Sequence, residues 1–189
     1  MTEKEVINIF EEHKALLKGH FKLSSGLHSE KYLQCALVLQ FPDMAESLAK
    51  ELAARFRGEK IDVVVGPALG GVTLAYEVAR TLHVRGVFTE RQDGKMVLRR
   101  GFSIQKGEKV LVVEDVVTTG GSTKEVVEVV KNSGGMVVGV GSIIDRSGER
   151  IDFGSRFEAL ASIKVETFKE ETCPLCREGL PVTKPGSRK

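Results

Sequence analysis

Four short apolar runs, rich in β-branched residues, dominate the middle of the chain: IDVVVGP (61–67), VRGVFTE (84–90), KVLVVED (109–115) and GGMVVGVGSIID (134–145). Between them lie ALGGVTLAYEVARTLH (68–83) and STKEVVEVVKN (122–132), whose apolar residues recur with a helical period. A strand that is apolar throughout, rather than in alternation, must be covered on both of its faces. Such strands belong to parallel sheets whose crossover helices pack on either side. The pattern therefore predicts an α/β fold, a doubly wound and mainly parallel sheet flanked by helices. In such sheets ligands bind at the carboxyl ends of the strands, which directs attention to the turns that follow each run.

The rest of the chain falls around this core. Thr2 and Glu5 form a capping box ahead of Val6, Ile9 and Phe10, predicting a first helix over 3–15. Residues 18–40 break that period with Gly, Ser, His and aromatics and read as short strands and turns of a small lobe. Asp43 with Glu46 is read as the cap of a second helix that stops at Gly58. The polar, basic stretch 91–108 does not fit the sheet. The tail from Cys173, with three prolines and two glycines, is expected to pack loosely if at all. This divides the chain into 1–42, a core of 43–172 and a tail of 173–189. The 189 residues, 41% hydrophobic, suffice for one core. A net charge of +2 gives no basic field for nucleic acid. No apolar run approaches the roughly 20 residues of a membrane span, so a soluble, cytoplasmic protein is expected.

The most informative string is VLVVEDVVTTGGST (110–123). An apolar run ends in adjacent carboxylates, Glu114 and Asp115, and a turn of small residues then opens a helix. Glycines allow close backbone approach, and a helix N-terminus aims unpaired N–H groups and a positive dipole at an anion. Thr and Ser hydroxyls add donors. Carboxylates repel phosphate but accept hydrogen bonds from sugar hydroxyls, so the combination suits a ribose 5-phosphate. Neither a Walker A loop nor a G-x-G-x-x-G turn occurs in the chain.

This string resembles the phosphoribosyl-pyrophosphate motif of type I phosphoribosyltransferases, and GPALGG (66–71) resembles their pyrophosphate loop. The resemblance implies that family's fold, with an N-terminal hood over 1–42. It implies that Glu114 and Asp115 meet the ribose hydroxyls. It also implies that Val116, Val117, Thr118, Thr119, Gly120, Gly121 and Ser122 form the 5-phosphoribosyl 1-pyrophosphate (PRPP) site. Mg²⁺ is the implied cofactor, held largely by substrate phosphates, with no resident metal of the protein's own. HFKLSSGLHSEKYLQ (20–34), TERQDGK (89–95) and SIIDRSGE (142–149) are similar to the hood, the start of the mobile catalytic loop and the base-binding strand end of the orotate branch. That likeness implies orotate as the base, bound by Thr118 and Arg146, in a step of pyrimidine nucleotide synthesis. It implies that Arg91 and Lys95 reach the pyrophosphate from a lid and, with Asp115, form the catalytic set. A homodimer is implied because this loop serves the neighbouring subunit's site. The chain departs from the branch at Ser24 and Gly70, where lysines are usual, and at Gln92; Lys31, Lys95, Arg99 or Arg100 would supply the charge.

Two rivals are distinguishable. A purine-specific enzyme would carry an aromatic beside Arg146, and none is there. A PRPP-sensing regulator would need a nucleic-acid module, and no basic helix-turn-helix is evident. The three cysteines, Cys35, Cys173 and Cys176, are too few for a disulfide framework. Cys173-Pro-Leu-Cys176 has zinc spacing but is half a site, and His13, His20, His28 and His83 share no ligand spacing. His28 is instead read as a hood residue that could approach the base.

Overall fold

The structure, a computed structural model, describes residues 1–23 and 25–185, so Ser24 lies outside the described residues. Helix α1 (Glu3–Glu12) carries the expected capping box, with both hydrogen bonds made. It ends before residue 15 because Lys14 turns into a positive φ of 53° and the Ala15 N–H bonds back to Phe10. Strands β1 (Leu16–Lys22) and β2 (His28–Leu33) then form a separate antiparallel hairpin, which is the small lobe. A single turn, α2 (Ala36–Leu39), leads to α3 (Pro42–Arg55). Asp43 does not cap α3. Phe41 occupies the cap position without a side-chain bond, and Pro42 opens the first turn, where its missing N–H costs nothing.

The core alternates β3 (Val63–Pro67), α4 (Gly70–Leu82), β4 (Arg85–Gln92), β5 (Lys95–Leu98), β6 (Lys109–Val117), α5 (Gly121–Asn132), β7 (Met136–Asp145) and β8 (Phe157–Ser162). The six strands lie in the order β5-β4-β3-β6-β7-β8, all parallel except β5, which returns antiparallel from β4. Successive residues point to opposite faces. Val64, Leu111 and Val113 therefore join the core under α1, α3 and α4, while Val63, Val65, Val110 and Val112 join the core under α5. Each fully buried valine contributes on the order of 1.5–3 kcal/mol. Gly139 lets α3 approach β7 closely, since a Cβ there would lie 2.4 Å from the Phe56 ring.

Two expectations are corrected. Residues 91–98 are not a free loop: strand pairing runs to Thr89↔Leu98, making an edge hairpin. The tail is not loose over its described part. A 3₁₀ turn (Glu170–Thr172) and α6 (Pro174–Arg177) bring Cys173 into complete burial. Phe168 and Thr183 bridge to His28 and Phe21, so the tail clasps both strands of the hairpin. The prolines and glycines allow those turns, and long-range contacts with the hairpin hold them.

Candidate active site

The cleft forms where the hairpin lobe faces the carboxyl ends of β3, β6 and β7, and its volume is about 770 Å³, within the range of small-molecule sites. Asp115, Val116, Thr118 and Ser122 form its floor, Ala68, Leu69, Gly70 and Thr73 one wall, and Arg146 another. Lys22, Leu23, Tyr32, Lys184 and Pro185 border it from the hairpin and tail.

Strand β6 extends to Val117, so the two acids sit within the strand and point to opposite faces. Asp115 borders the cleft, accepts a bond from the buried Cys35 thiol, and has its pKa raised by burial. Glu114 turns towards α5, where the buried Thr123 hydroxyl donates to it. Burial, and the neighbouring Asp115 charge to a lesser degree, push the Glu114 carboxyl up to about 7 against the bond from Thr123. The following turn enters α5 through Gly120, at φ 74° and ψ 5°, where non-glycine residues are strained. No side chain caps α5 from Gly120; only Thr119 Oγ1 accepts, at 3.4 Å, from the Gly121 N–H. The helix N-terminus therefore borders the cleft with N–H groups that, apart from that contact, no side chain among the described residues caps.

Across the cleft, the Arg146 N–H is tied to the Val117 carbonyl at 2.8 Å. Among the described residues no carboxylate pairs with the Arg146 guanidinium; burial lowers its pKa and the neighbouring Tyr32 opposes this. Tyr32 has its own pKa raised, by burial first and then by the Asp115 charge. A half-buried guanidinium without an anion, bordering a cleft, is a site prepared for one.

The sequence pattern of the family described as "Phosphoribosyl transferase domain" matches residues 38–153. The chain belongs to the phosphoribosyltransferase family. It is 58% identical over 189 residues to an orotate phosphoribosyltransferase of Caldanaerobacter subterraneus, with both chains covered completely. Among solved structures it is similar to the orotate phosphoribosyltransferase of Aeropyrum pernix, with TM-score 0.68 and 27% identity, covering 84% of this chain and 93% of that one. An adenine phosphoribosyltransferase of Thermoanaerobacter pseudethanolicus reaches TM-score 0.65 at 19% identity, covering 82% and 99% respectively. The fold is thus shared by orotate and purine enzymes. Full-length sequence identity is what associates this phosphoribosyltransferase with the orotate branch.

Within that family frame, the structure brings Asp115, Val116, Thr118, Ser122 and Arg146 to one cleft, while Glu114, Thr119 and Gly121 do not line it. Val117 does not face the cleft; its side chain is buried in the core beside α5. Gly120 is backed by Ile151 and Phe153, which a Cβ would meet at 3.1 Å, so its small size serves packing and positive φ rather than open space for the anion. Arg91 and Lys95 do not border the cleft of their own chain. The Arg91 guanidinium makes a two-pronged ion pair with Glu125 at 2.8 and 2.9 Å on α5 and donates to the Gly94 carbonyl. Arg100 pairs with Glu90 at 2.9 Å, and neither Arg99 nor Lys31 borders the cleft. The cleft cations are instead Arg146, Lys22 and Lys184.

Several residues were not singled out from sequence as site residues: Lys22, Tyr32 and Lys184, which reach the cleft through the hairpin and tail, and Cys35, which is buried ahead of α2 and bonds to Asp115 from the core side. Gly70 lies against Asp115. A Cβ there would lie 2.6 Å from both Asp115 carboxylate oxygens. His28 does not approach the base; it is turned away, buried between His20 and the tail.

Proposed function

We propose that the chain transfers the 5-phosphoribosyl group of PRPP to orotate, forming orotidine 5′-phosphate and pyrophosphate. The observation that carries this reading is the unpaired Arg146 guanidinium facing, across one cleft, the helix N-terminus and Asp115. One end of the cleft suits a ribose phosphate and the other a carboxylated planar base.

The 5′-phosphate sits on the first turn of α5, with donors from Thr118, Thr119 and Ser122. Asp115 accepts from the ribose hydroxyls, and Cys35 holds its carboxylate in place. Glu114 acts on the same turn through Thr123. Arg146 offsets the desolvation of the orotate carboxylate, and Thr118 supports the ring edge. A ring nitrogen of the base then attacks the anomeric carbon with inversion, and pyrophosphate leaves. Buried surroundings strengthen every charge interaction along this path.

Mg²⁺ is the proposed cofactor, and the donor set fits: Asp115 offers hard carboxylate oxygens at the cleft floor, and few protein ligands are needed when substrate phosphates supply the rest. When bound, it neutralises pyrophosphate charge. Arg91 and Lys95, remote from their own cleft, are proposed to serve the site of a second copy, which makes a homodimer the working assembly. Exposed Phe41 and Tyr76, at the start of α3 and on the neighbouring α4, offer apolar surface for it. No helix among the described residues is long and apolar enough to cross a membrane.

The deciding assay supplies PRPP, Mg²⁺ and one base at a time, and follows pyrophosphate release together with the nucleotide formed. Orotate should be used in strong preference to adenine, guanine, hypoxanthine and uracil. Preference for a purine, or no turnover of orotate, would overturn the assignment.

A further inference from the structure

Four side chains outside the cleft converge without any role in the chemistry above. His20 and His28 lie on β1 and β2; Cys173 caps the short helix α6 of the tail packed against them, and Cys176 lies within it. One ligand atom from each lies within 4.8 Å of the others. His20 Nε2 is 2.8 Å from His28 Nδ1, 3.6 Å from Cys173 Sγ and 3.7 Å from Cys176 Sγ; Cys176 Sγ is 3.2 Å from His28 Nδ1. A tetrahedron built on Zn–N of about 2.0–2.1 Å and Zn–S of about 2.3 Å has edges of about 3.3–3.7 Å. Most of these separations fall close to that range, and the imidazole pair needs to open by about half an ångström.

We propose that His20, His28, Cys173 and Cys176 bind one structural zinc ion that fastens the tail to the hairpin lobe. Two thiolates and two imidazoles are the donors that a borderline-soft, tetrahedral ion prefers, and they exclude Mg²⁺ and Ca²⁺, which take oxygen. Binding releases one proton from each thiol, and the two thiolates neutralise the divalent charge, so the buried centre is neutral.

The outer groups are arranged as for a metal site. His20 donates its Nδ1–H to the Leu180 carbonyl at 2.8 Å, which leaves Nε2 as a lone-pair donor aimed at the cluster. His28 Nε2, on the far side of its ring, is buried without a hydrogen bond, and the Glu170 carboxylate lies 3.9 Å away, within reach of a small side-chain swing. That is the carboxylate–histidine–metal relation common around zinc. All four protein positions are filled by side chains, so the centre is closed and structural rather than catalytic.

A second observation is the tail itself. A three-residue 3₁₀ turn and a four-residue helix are far too short to persist alone, yet they hold Cys173 fully buried. Beyond the backbone bridges at Phe168 and Thr183, the described tail has no extensive apolar core to anchor it. Lys22, Leu23, Lys184 and Pro185 on the fastened pieces border the cleft, so the ion would set the wall that covers the substrates.

The test uses the full chain, expressed without a histidine tag and purified under reducing conditions. Elemental analysis should find about one zinc per chain, and Co²⁺ added to chelator-stripped protein should give the visible bands of a tetrahedral centre with thiolate-to-cobalt charge transfer. Cys173→Ser and Cys176→Ser should each lower Co²⁺ affinity by about 100-fold or more, beyond what loss of an outer group costs, while circular dichroism of the core persists. Holo protein should resist proteolysis within 165–185, and stripped protein should be cut there. Should a variant fail to fold, the cobalt spectrum of the parent still decides. No zinc above background together with no tetrahedral cobalt spectrum, or a Cys173–Cys176 disulfide in freshly isolated protein, would overturn the proposal.

Discussion

At the residue scale, Arg146 and Glu114 make opposite use of burial. Arg146 is partly desolvated without an anion, and a charge-assisted hydrogen bond to orotate is worth about 1.5–3 kcal/mol. Arg146→Ala should therefore weaken use of orotate by on the order of 10- to 100-fold, while calorimetric affinity for PRPP measured without base stays near that of the parent. Lysine at 146 should rescue only in part, because a point charge lacks the planar fork. Unchanged kinetics with orotate would remove Arg146 from the base site. Glu114 carries a pH signature. Its carboxyl moves from 4.5 to about 7 on folding, so the folded chain keeps a proton that the unfolded chain has already lost. Stability should fall as pH rises from about 4.5 to about 7 and then level off, by at most about 3 kcal/mol from this group. Urea unfolding of the ligand-free protein at pH 5 and pH 8 should show that slope, and Glu114→Gln should flatten it. Equal slopes in both proteins would assign the pH dependence elsewhere. Gly70→Ala places a methyl 2.6 Å from the Asp115 oxygens and should cut kcat/KM for PRPP strongly with the melting temperature little changed.

At the element scale, the site depends on how closely helices approach the sheet. Alternate residues of β3 and β6 feed two separate cores, and α3 approaches β7 over Gly139. Gly139→Ala should push Phe56 out of place and cost about 1–3 kcal/mol of stability. The measurement is the urea midpoint, with activity at low temperature largely retained because Phe56 is remote from the cleft residues. A stability equal to the parent's would mean that α3 shifts freely. The edge hairpin β4–β5 stands in a different position. The paired guanidinium of Arg91 ties it to α5 at Glu125, while Gly94 and Gly101 at φ 80° and 75° leave open turns on either side of β5. That ion pair is exposed and worth little in high dielectric, so the pairing of β4 with β3 and the packing of β5 on α5 hold the hairpin more than Arg91 does.

At the scale of the whole molecule, the role proposed for Arg91 and Lys95 requires a second copy of the chain. Sedimentation should report a dimer. Mixing an Asp115→Asn chain with an Arg91→Ala/Lys95→Ala chain should then restore part of the activity that each homodimer lacks, since some hybrid sites hold both intact sets. Absence of complementation in a mixture shown to exchange subunits would confine those residues to their own chain.

The parallel strands of the core, their helices and the glycine-rich turn into α5 were legible in the sequence because they are local. Unbroken β-branched runs, a 3.6-residue period and a Gly-rich helix start each carry their signal within about ten residues. Strand β8 went unread since FEALAS, on the sheet edge, is too short and mixed to announce itself. Which acid faces the cleft was decided by strand parity once β6 was seen to run through Val117. That Gly70 lies against the Asp115 carboxylate was decided by the packing of α4 on β6. The convergence of His20 and His28 with Cys173 and Cys176 spans more than 140 positions of chain. Spacing along the sequence cannot express that closeness, because it arises from the pairing of β1 with β2 and the return of the tail across them. Local pattern determined the fold and the glycine-rich entry to α5; packing between distant segments determined the cleft wall and what holds it.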